Sequence, residues 1–262
     1  MSNQELYQRL NKILEELVPQ LRGTLDLSHD SRVKRYNLAV EIRQLYLELD
    51  LMDTPYWRSL YPNWNVLNEQ RLTNDDIFFV IQNLKLVKNK FFTNYFDKIF
   101  ISHSEKDKVY ASNIISLLHD IGIKKPSDND KEIIFCSSYS GYSIKNRTDN
   151  IEQIKSIFNS TDRVLALMLY SKNYFSSHAC LNEIGAIWVS NIAYQPILLN
   201  GMEFEEVKGF LNPNITGFKV LDKFRLNDFK NEIGKYFNLP KIKENIWEHD
   251  RDDFINKVSN IV

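Results

Sequence analysis

The 262-residue sequence predicts an α/β protein, with a five-stranded parallel sheet flanked by helices and a small all-helical domain ahead of it. Three observations predict this. Five short apolar runs alternate with amphipathic stretches from Asp97 onward. The first 92 residues show only three-and-four apolar spacing. Seven of the eight glycines lie after residue 120. Strict strand–helix alternation implies right-handed crossovers and a parallel sheet covered on both faces. The change of period divides the chain into a helical domain, 1–92, which reads as a sensing or oligomerisation unit, and a sheet domain, 93–262.

In the first domain, Leu6, Leu10, Ile13, Leu14, Leu17 and Leu21 form a helical stripe over 3–21. A second stripe, with Val33, Leu38, Val40, Ile42, Leu45 and Leu49, predicts a helix over 31–49 with Ser31 as its N-cap. The segment DTPYWRSLYPNW, 53–64, holds two prolines and four aromatics and reads as an ordered connector. Thr73, followed by Asp75 and Asp76, opens a third helix that carries Ile77, Val80, Ile81, Leu84 and Val87.

In the second domain the strand-length runs are KIFIS (98–102), EIIFC (132–136), VLALMLY (164–170), QPILL (195–199) and FKVL (218–221). The intervening stretches 105–121, 149–158, 172–190, 203–211 and 226–237 are predicted helices, and a last helix covers 247–261. Ligands of such sheets bind beyond the carboxyl ends of the strands, which directs attention to 102–107, 137–150 and 171–183.

Composition removes several functions. Hydrophobic residues at 43% and charged residues at 26% suit a chain with a sizeable core. Lys+Arg at 33 against Asp+Glu at 34 gives a net charge of -1, so no basic excess is available for a nucleic-acid backbone or an anionic membrane. Two cysteines build no disulfide framework and fit a reducing compartment. No apolar run approaches the roughly 20 residues of a membrane span, and MSNQELYQRL lacks a secretory apolar stretch, so the expectation is a cytoplasmic protein. Neither GxxxxGKS nor GxGxxG occurs, which argues against P-loop and dinucleotide-binding Rossmann enzymes.

The loop SSYSGYSIKNRTDN is long for a strand-to-helix link and carries Gly141 between Ser/Tyr pairs; a solvated turn and a functional loop are both consistent with it. In SKNYFSSHACLNEIGAIW, Leu181, Ile184, Ile187 and Trp188 fall on one helical face with Glu183 at its rim. A carboxylate there is either a solvated surface charge or a group aimed into the crevice, where it can stabilise positive charge developing on a sugar carbon. His103, Cys136, His178 and Cys180 lack paired ligand spacing, so no metal site is expected. Ser102, His103 and Ser104 are sequence neighbours, which is not the geometry of a nucleophile and its base. Cys136 and Cys180 read as small core residues.

KIFISHSEKD, FCSSYSGYSI and YSKNYFSSHACLNEIGA, in that order and spacing, resemble the three signature segments of a bacterial Toll/interleukin-1 receptor (TIR) domain, over about residues 96–240. The resemblance implies a flavodoxin-like fold and a BB loop at 137–149. It implies Glu183 as the acidic residue that cleaves the nicotinamide–ribose bond of NAD+, with Ser102, His103, Ser104, Ser138, Gly141, Tyr142 and Tyr174 around the substrate. NAD+ would be substrate, with no cofactor and no metal. The product would be ADP-ribose or a cyclic isomer, and activity would depend on self-assembly through TIR–TIR contacts. A role in anti-phage defence follows, with residues 1–92 receiving a phage or host trigger. Many members carry a tryptophan four residues before the glutamate; here that position is Ala179, and Tyr142 and Tyr174 are the aromatics that could substitute. The alternative within the family is a non-catalytic scaffold for protein–protein signalling.

Overall fold

The computed structural model describes residues 2–22, 26, 28–67, 72–126, 132–136, 162–207 and 217–261. The chain divides into two compact units, Met1–Thr93 and Asn94–Val262.

Among the described residues the first unit holds four α-helices. α1 (Asn3–Leu17) starts at a capping box in which Ser2 and Glu5 satisfy each other's backbone N–H, and it buries Leu6, Leu10, Ile13, Leu14 and Leu17. It gives way to a 3-10 turn, Val18–Arg22, short of the predicted end at Leu21, because Pro19 has no N–H to continue the α ladder. α2 (His29–Glu48) is capped by Ser28 rather than Ser31; the Ser31 N–H is the group that donates to the Ser28 hydroxyl. The expected connector is itself a helix, α3 (Pro55–Trp64). Pro55 occupies the first turn, where a missing N–H costs nothing. The turn that contains Pro62 is held by ring packing of Trp57 on Tyr46, Tyr61 and Trp64, and by Trp64 Nε1 donating to the Ala39 carbonyl at 2.8 Å. α4 (Asn74–Phe91) opens at Thr73, as expected, in a second capping box with Asp76.

The second unit contains one all-parallel sheet of β1 (Lys98–Ser102), β2 (Ile134–Cys136), β3 (Val164–Tyr170), β4 (Ala193–Leu198) and β5 (Phe218–Lys219) in the order β2-β1-β3-β4-β5. Five parallel strands flanked by helices are what the alternation predicted, and the order is that of flavodoxin-like sheets. β1 and β3 are in register, Ile99 beside Leu165 and Phe100 beside Ala166. Alternate side chains therefore feed two cores. Ile99, Ile101, Leu165, Leu167 and Leu169 pack with α5 (Lys108–Asp120), α8 (Lys223–Tyr236) and α9 (Glu244–Ser259). Phe100, Ala166, Met168 and Tyr170 pack with α6 (Lys172–Phe175) and α7 (His178–Val189).

The predicted helices differ in detail: the last, expected over 247–261, is α9 over Glu244–Ser259, and 105–121 opens as the 3-10 turn Glu105–Asp107 ahead of α5. The stretch 172–190 breaks into α6 and α7 at Ser176 and Ser177, where the Ser177 hydroxyl accepts from the Cys180 N–H and starts a new helix. α8 begins three residues early because Asp222 accepts from the N–H groups of Phe224 and Arg225. Of 203–211, the described part forms only a 3-10 turn, Phe204–Glu206. The predicted helix 149–158 lies outside the described residues. Among the described residues no helix is long and apolar enough to cross a membrane.

At the end of α5, Gly122 has φ +113°, and a Cβ placed there would meet only Leu239 at an ordinary 3.8 Å. The cost of a side chain is therefore backbone strain alone. Gly122→Ala should lower the unfolding free energy of this unit by about 1 kcal/mol, read by chemical denaturation, without disturbing the opposite end of the sheet.

Candidate functional site

Adjacent β1 and β3 pass their chains to opposite faces of the sheet, α5 on one side and α6–α7 on the other, so the crevice opens at their carboxyl ends. β1 delivers Ser102, His103 and Ser104 to that edge, and all three are buried. The 3-10 turn Glu105–Asp107 then folds Asp107 back under the loop. Its buried carboxylate accepts from Ser171 Oγ at 2.5 Å and Asn173 Nδ2 at 2.9 Å, joining the loop after β1 to the loop after β3. Ser171 also caps α6, accepting the Tyr174 N–H at 3.0 Å.

α7 presents Cys180, Glu183, Ile184 and Ile187 inward. Cys180 and Ile187 are buried and Ile184 packs against the same core, whereas Leu181 (43%) and Trp188 (61%) are exposed. The inward stripe is thus rotated from the face expected on apolar spacing, and the rotation carries Glu183 from the rim into the crevice. Ser102 Oγ donates to Glu183 Oε2 at 2.5 Å, and Tyr174 Oη lies 2.7 Å from the same Ser102 oxygen.

The direction of this chain follows from proton counting. A serine hydroxyl has one proton, and an ionised carboxylate only accepts, so Ser102 donates to Glu183 and must accept from Tyr174. Burial pushes the Tyr174 phenol well above its ordinary pKa, which keeps it a donor. Burial also raises the Glu183 pKa above the ordinary carboxylate value, against the opposing effect of the Ser102 hydrogen bond. The carboxylate is half-buried, has one oxygen engaged by Ser102, and is poorly hydrated. Such a group interacts strongly with a cation that approaches its other oxygen.

His103 and Cys136 form a second buried contact. Burial lowers the His103 pKa, so the ring is neutral. Its Nδ1 donates to the Ser104 carbonyl at 2.7 Å, which leaves Nε2 as the acceptor for the Cys136 thiol at 3.3 Å. His103 therefore braces the loop after β1 against β2. Cys180 is buried, and burial raises its thiol pKa. Among the described residues no group of three His, Cys, Asp or Glu side chains could hold a metal ion.

The structure thus brings Glu183, Ser102 and Tyr174 together and places His103 and Ser104 beside them, all of them but Glu183 buried. Tyr174 stands behind Ser102 and is fully buried, so its ring is not exposed for stacking. Ser138, Gly141 and Tyr142 lie outside the described residues. Sequence reasoning passed over Asp107, Ser171 and Asn173; an aspartate just before a helix and a serine at the start of the next were the available signals.

No family model matches the chain, and no solved structure matches it. It is similar to an uncharacterized protein of Bacillus subtilis, YddK, with 29% identity over 263 residues that cover 94% of this chain and 90% of YddK.

Removing the Ser102 hydroxyl takes away the hydrogen bond that favours ionised Glu183 and leaves the buried Tyr174 phenol without that acceptor. Ser102→Ala should raise the Glu183 pKa further, followed by carboxyl-labelled NMR titration. It should also cost about 1–3 kcal/mol of stability, the scale for stranding a buried polar group. An unchanged Glu183 titration would show that the bond does not act on the carboxylate.

Proposed function

We propose that this chain is a TIR-type NAD+ glycohydrolase or ADP-ribosyl cyclase with Glu183 as the catalytic carboxylate. The observation that carries the reading is the position of a half-buried carboxylate, fixed by Ser102, at the carboxyl ends of β1 and β3. The ordered segments KIFISHSEKD and YSKNYFSSHACLNEIGA, which bear its resemblance to TIR domains, supply these residues.

In the proposed reaction the N-glycosidic bond breaks and its electron pair leaves with nicotinamide. The leaving group is a cationic pyridinium that departs neutral, so no strong general acid is required. The barrier lies in the oxocarbenium-like ribose, whose positive charge Glu183 stabilises through Oε1 while Ser102 holds Oε2. Attack by water gives ADP-ribose with release of one proton; attack by the substrate's own adenine nitrogen closes a ring and gives a cyclic ADP-ribose, which has one water fewer than ADP-ribose. Self-assembly of the TIR domains as the switch, and residues 1–92 as the part that meets a phage or host trigger, belong to the same proposal. One observation favours the scaffold reading: Leu181, Trp188 and Val189 leave α7 with apolar side chains exposed, as a partner-binding helix would.

Incubating the purified chain with NAD+ and separating the products by chromatography tests the two. Released nicotinamide supports the glycohydrolase or cyclase, and its absence at all protein concentrations favours the scaffold. Glu183→Gln should lower the rate by about 10²-fold or more, the scale of losing one preorganised electrostatic group.

Two further outcomes follow from the raised Glu183 pKa. The active form is the carboxylate, so the acid limb of the pH–rate profile should lie above the ordinary value of 4.5. Between 4.5 and the raised value the folded state holds more protons than the unfolded state, so stability falls as pH rises through that window. Glu183→Gln should consequently melt no lower than wild type at pH 7, with the difference closing toward pH 4. A variant that melts far below wild type at pH 7 would mark Glu183 as a structural residue.

A further inference from the structure

α2 is apolar on two sides. Leu38, Ala39, Ile42, Leu45 and Tyr46 are buried within the first unit. On the outer side, Val33 (44%), Tyr36 (54%), Val40 (49%) and Leu47 (44%) are exposed. Exposed apolar residues scattered singly are ordinary. These four are not scattered. Val33, Val40 and Leu47 are spaced by seven, and Tyr36 takes the intermediate position, which is the heptad seam of paired helices with β-branched residues at successive first positions. The seam runs about 21 Å along the helix.

We propose that α2 is a homodimerisation helix that pairs with α2 of a second copy in antiparallel orientation. The proposal is independent of the NAD+ reading. The next intermediate position after Tyr36 is Arg43, and a parallel pair would set Arg43 against itself. An antiparallel pair with its two-fold axis beside Val40 removes that clash. Val33 of one copy then meets Leu47 of the other, and Val40 meets itself. Tyr36 lies opposite Arg43 and Gln44, where the guanidinium can cover the ring. Charge agrees with this direction: the first half of α2 carries Arg32, Lys34 and Arg35 against Asp30, and the second carries Glu41 and Glu48 against Arg43. Antiparallel crossing sets the net positive half of each helix against the net negative half of the other, where Glu48 already accepts from Arg9 and Gln44. Helix dipoles oppose favourably as well. The contact is isologous, so every interaction occurs twice. Two heptads are fewer than the three or four of a self-sufficient coiled coil, which places the dissociation constant in roughly the micromolar range.

Sedimentation of the full chain from about 1 to 200 µM should show the mass rising from 31.0 kDa toward twice that value. Val40→Glu sets two carboxylates against each other at the two-fold axis and should weaken dimerisation by about 10²-fold, with circular dichroism unchanged and melting unchanged at concentrations well below the dissociation constant, because Val40 is half exposed. Arg43→Leu, which makes the seam continuous, should tighten it by about tenfold. Orientation is read by disulfide trapping, since both natural cysteines are buried. A mixture of Val33→Cys and Leu47→Cys chains should cross-link between variants, and Val33→Cys alone should not. Monomeric wild type across the whole range, wild-type dimerisation of Val40→Glu, or self-cross-linking of Val33→Cys would each overturn the proposal.

Discussion

The second unit depends on a constraint of parallel sheets: each strand must be returned by a crossover, and at one place in the order neighbouring strands send their crossovers to opposite faces. Here that place is between β1 and β3. The crevice it opens is lined by chain ends whose polar groups would be stranded if left unpaired. The hydrogen bonds from Ser171 and Asn173 to Asp107 close it on one side, and the chain from Tyr174 through Ser102 to Glu183 closes it on the other. Folding of the loops and placement of the carboxylate are thus one event. A carboxylate can remain half-buried and dehydrated at this point because Ser102 and Tyr174, themselves buried, hold it from behind.

What could be read from the sequence follows from where the apolar pattern is strong. The runs at 98–102 and 164–170 are strands over the same residues in the structure, because a doubly covered parallel strand is apolar nearly throughout. α1, α2 and α4 were legible from their stripes, although Val33 and Val40 of the α2 stripe face outward, and their ends are set by capping chemistry that is only locally encoded. α3 was not legible. Two prolines outweigh any helical pattern in a ten-residue segment, and the contacts that hold it, Trp57 and Trp64 against α2, are tertiary. The break between α6 and α7 is of the same kind, since two serines read as interior polar residues until one is seen to cap.

For the site, the segment left Glu183 either as a solvated rim charge or as a group aimed into the crevice, and the structure turns it inward onto Ser102. Apolar spacing placed Leu181, Ile184, Ile187 and Trp188 on one face; in the structure Ile184 and Ile187 do face the core, joined there by Cys180, while Leu181 and Trp188 are exposed. Asp107 was invisible for a different reason. An acidic residue before a helix is ordinary at a surface, and only the meeting of two loops distant in sequence makes it a buried acceptor.

The unbranched path from Tyr174 to Ser102 to Glu183 has one more consequence. Oε2 is committed as an acceptor as long as Ser102 takes the proton of Tyr174, so a proton added to the carboxyl group settles on Oε1 and disturbs no heavy atom. The two charge states of the crevice are therefore isosteric. One offers a lone pair at Oε1 and the other offers a hydrogen at the same point. A group approaching Oε1 would meet a full negative charge in one state and a hydrogen-bond donor in the other.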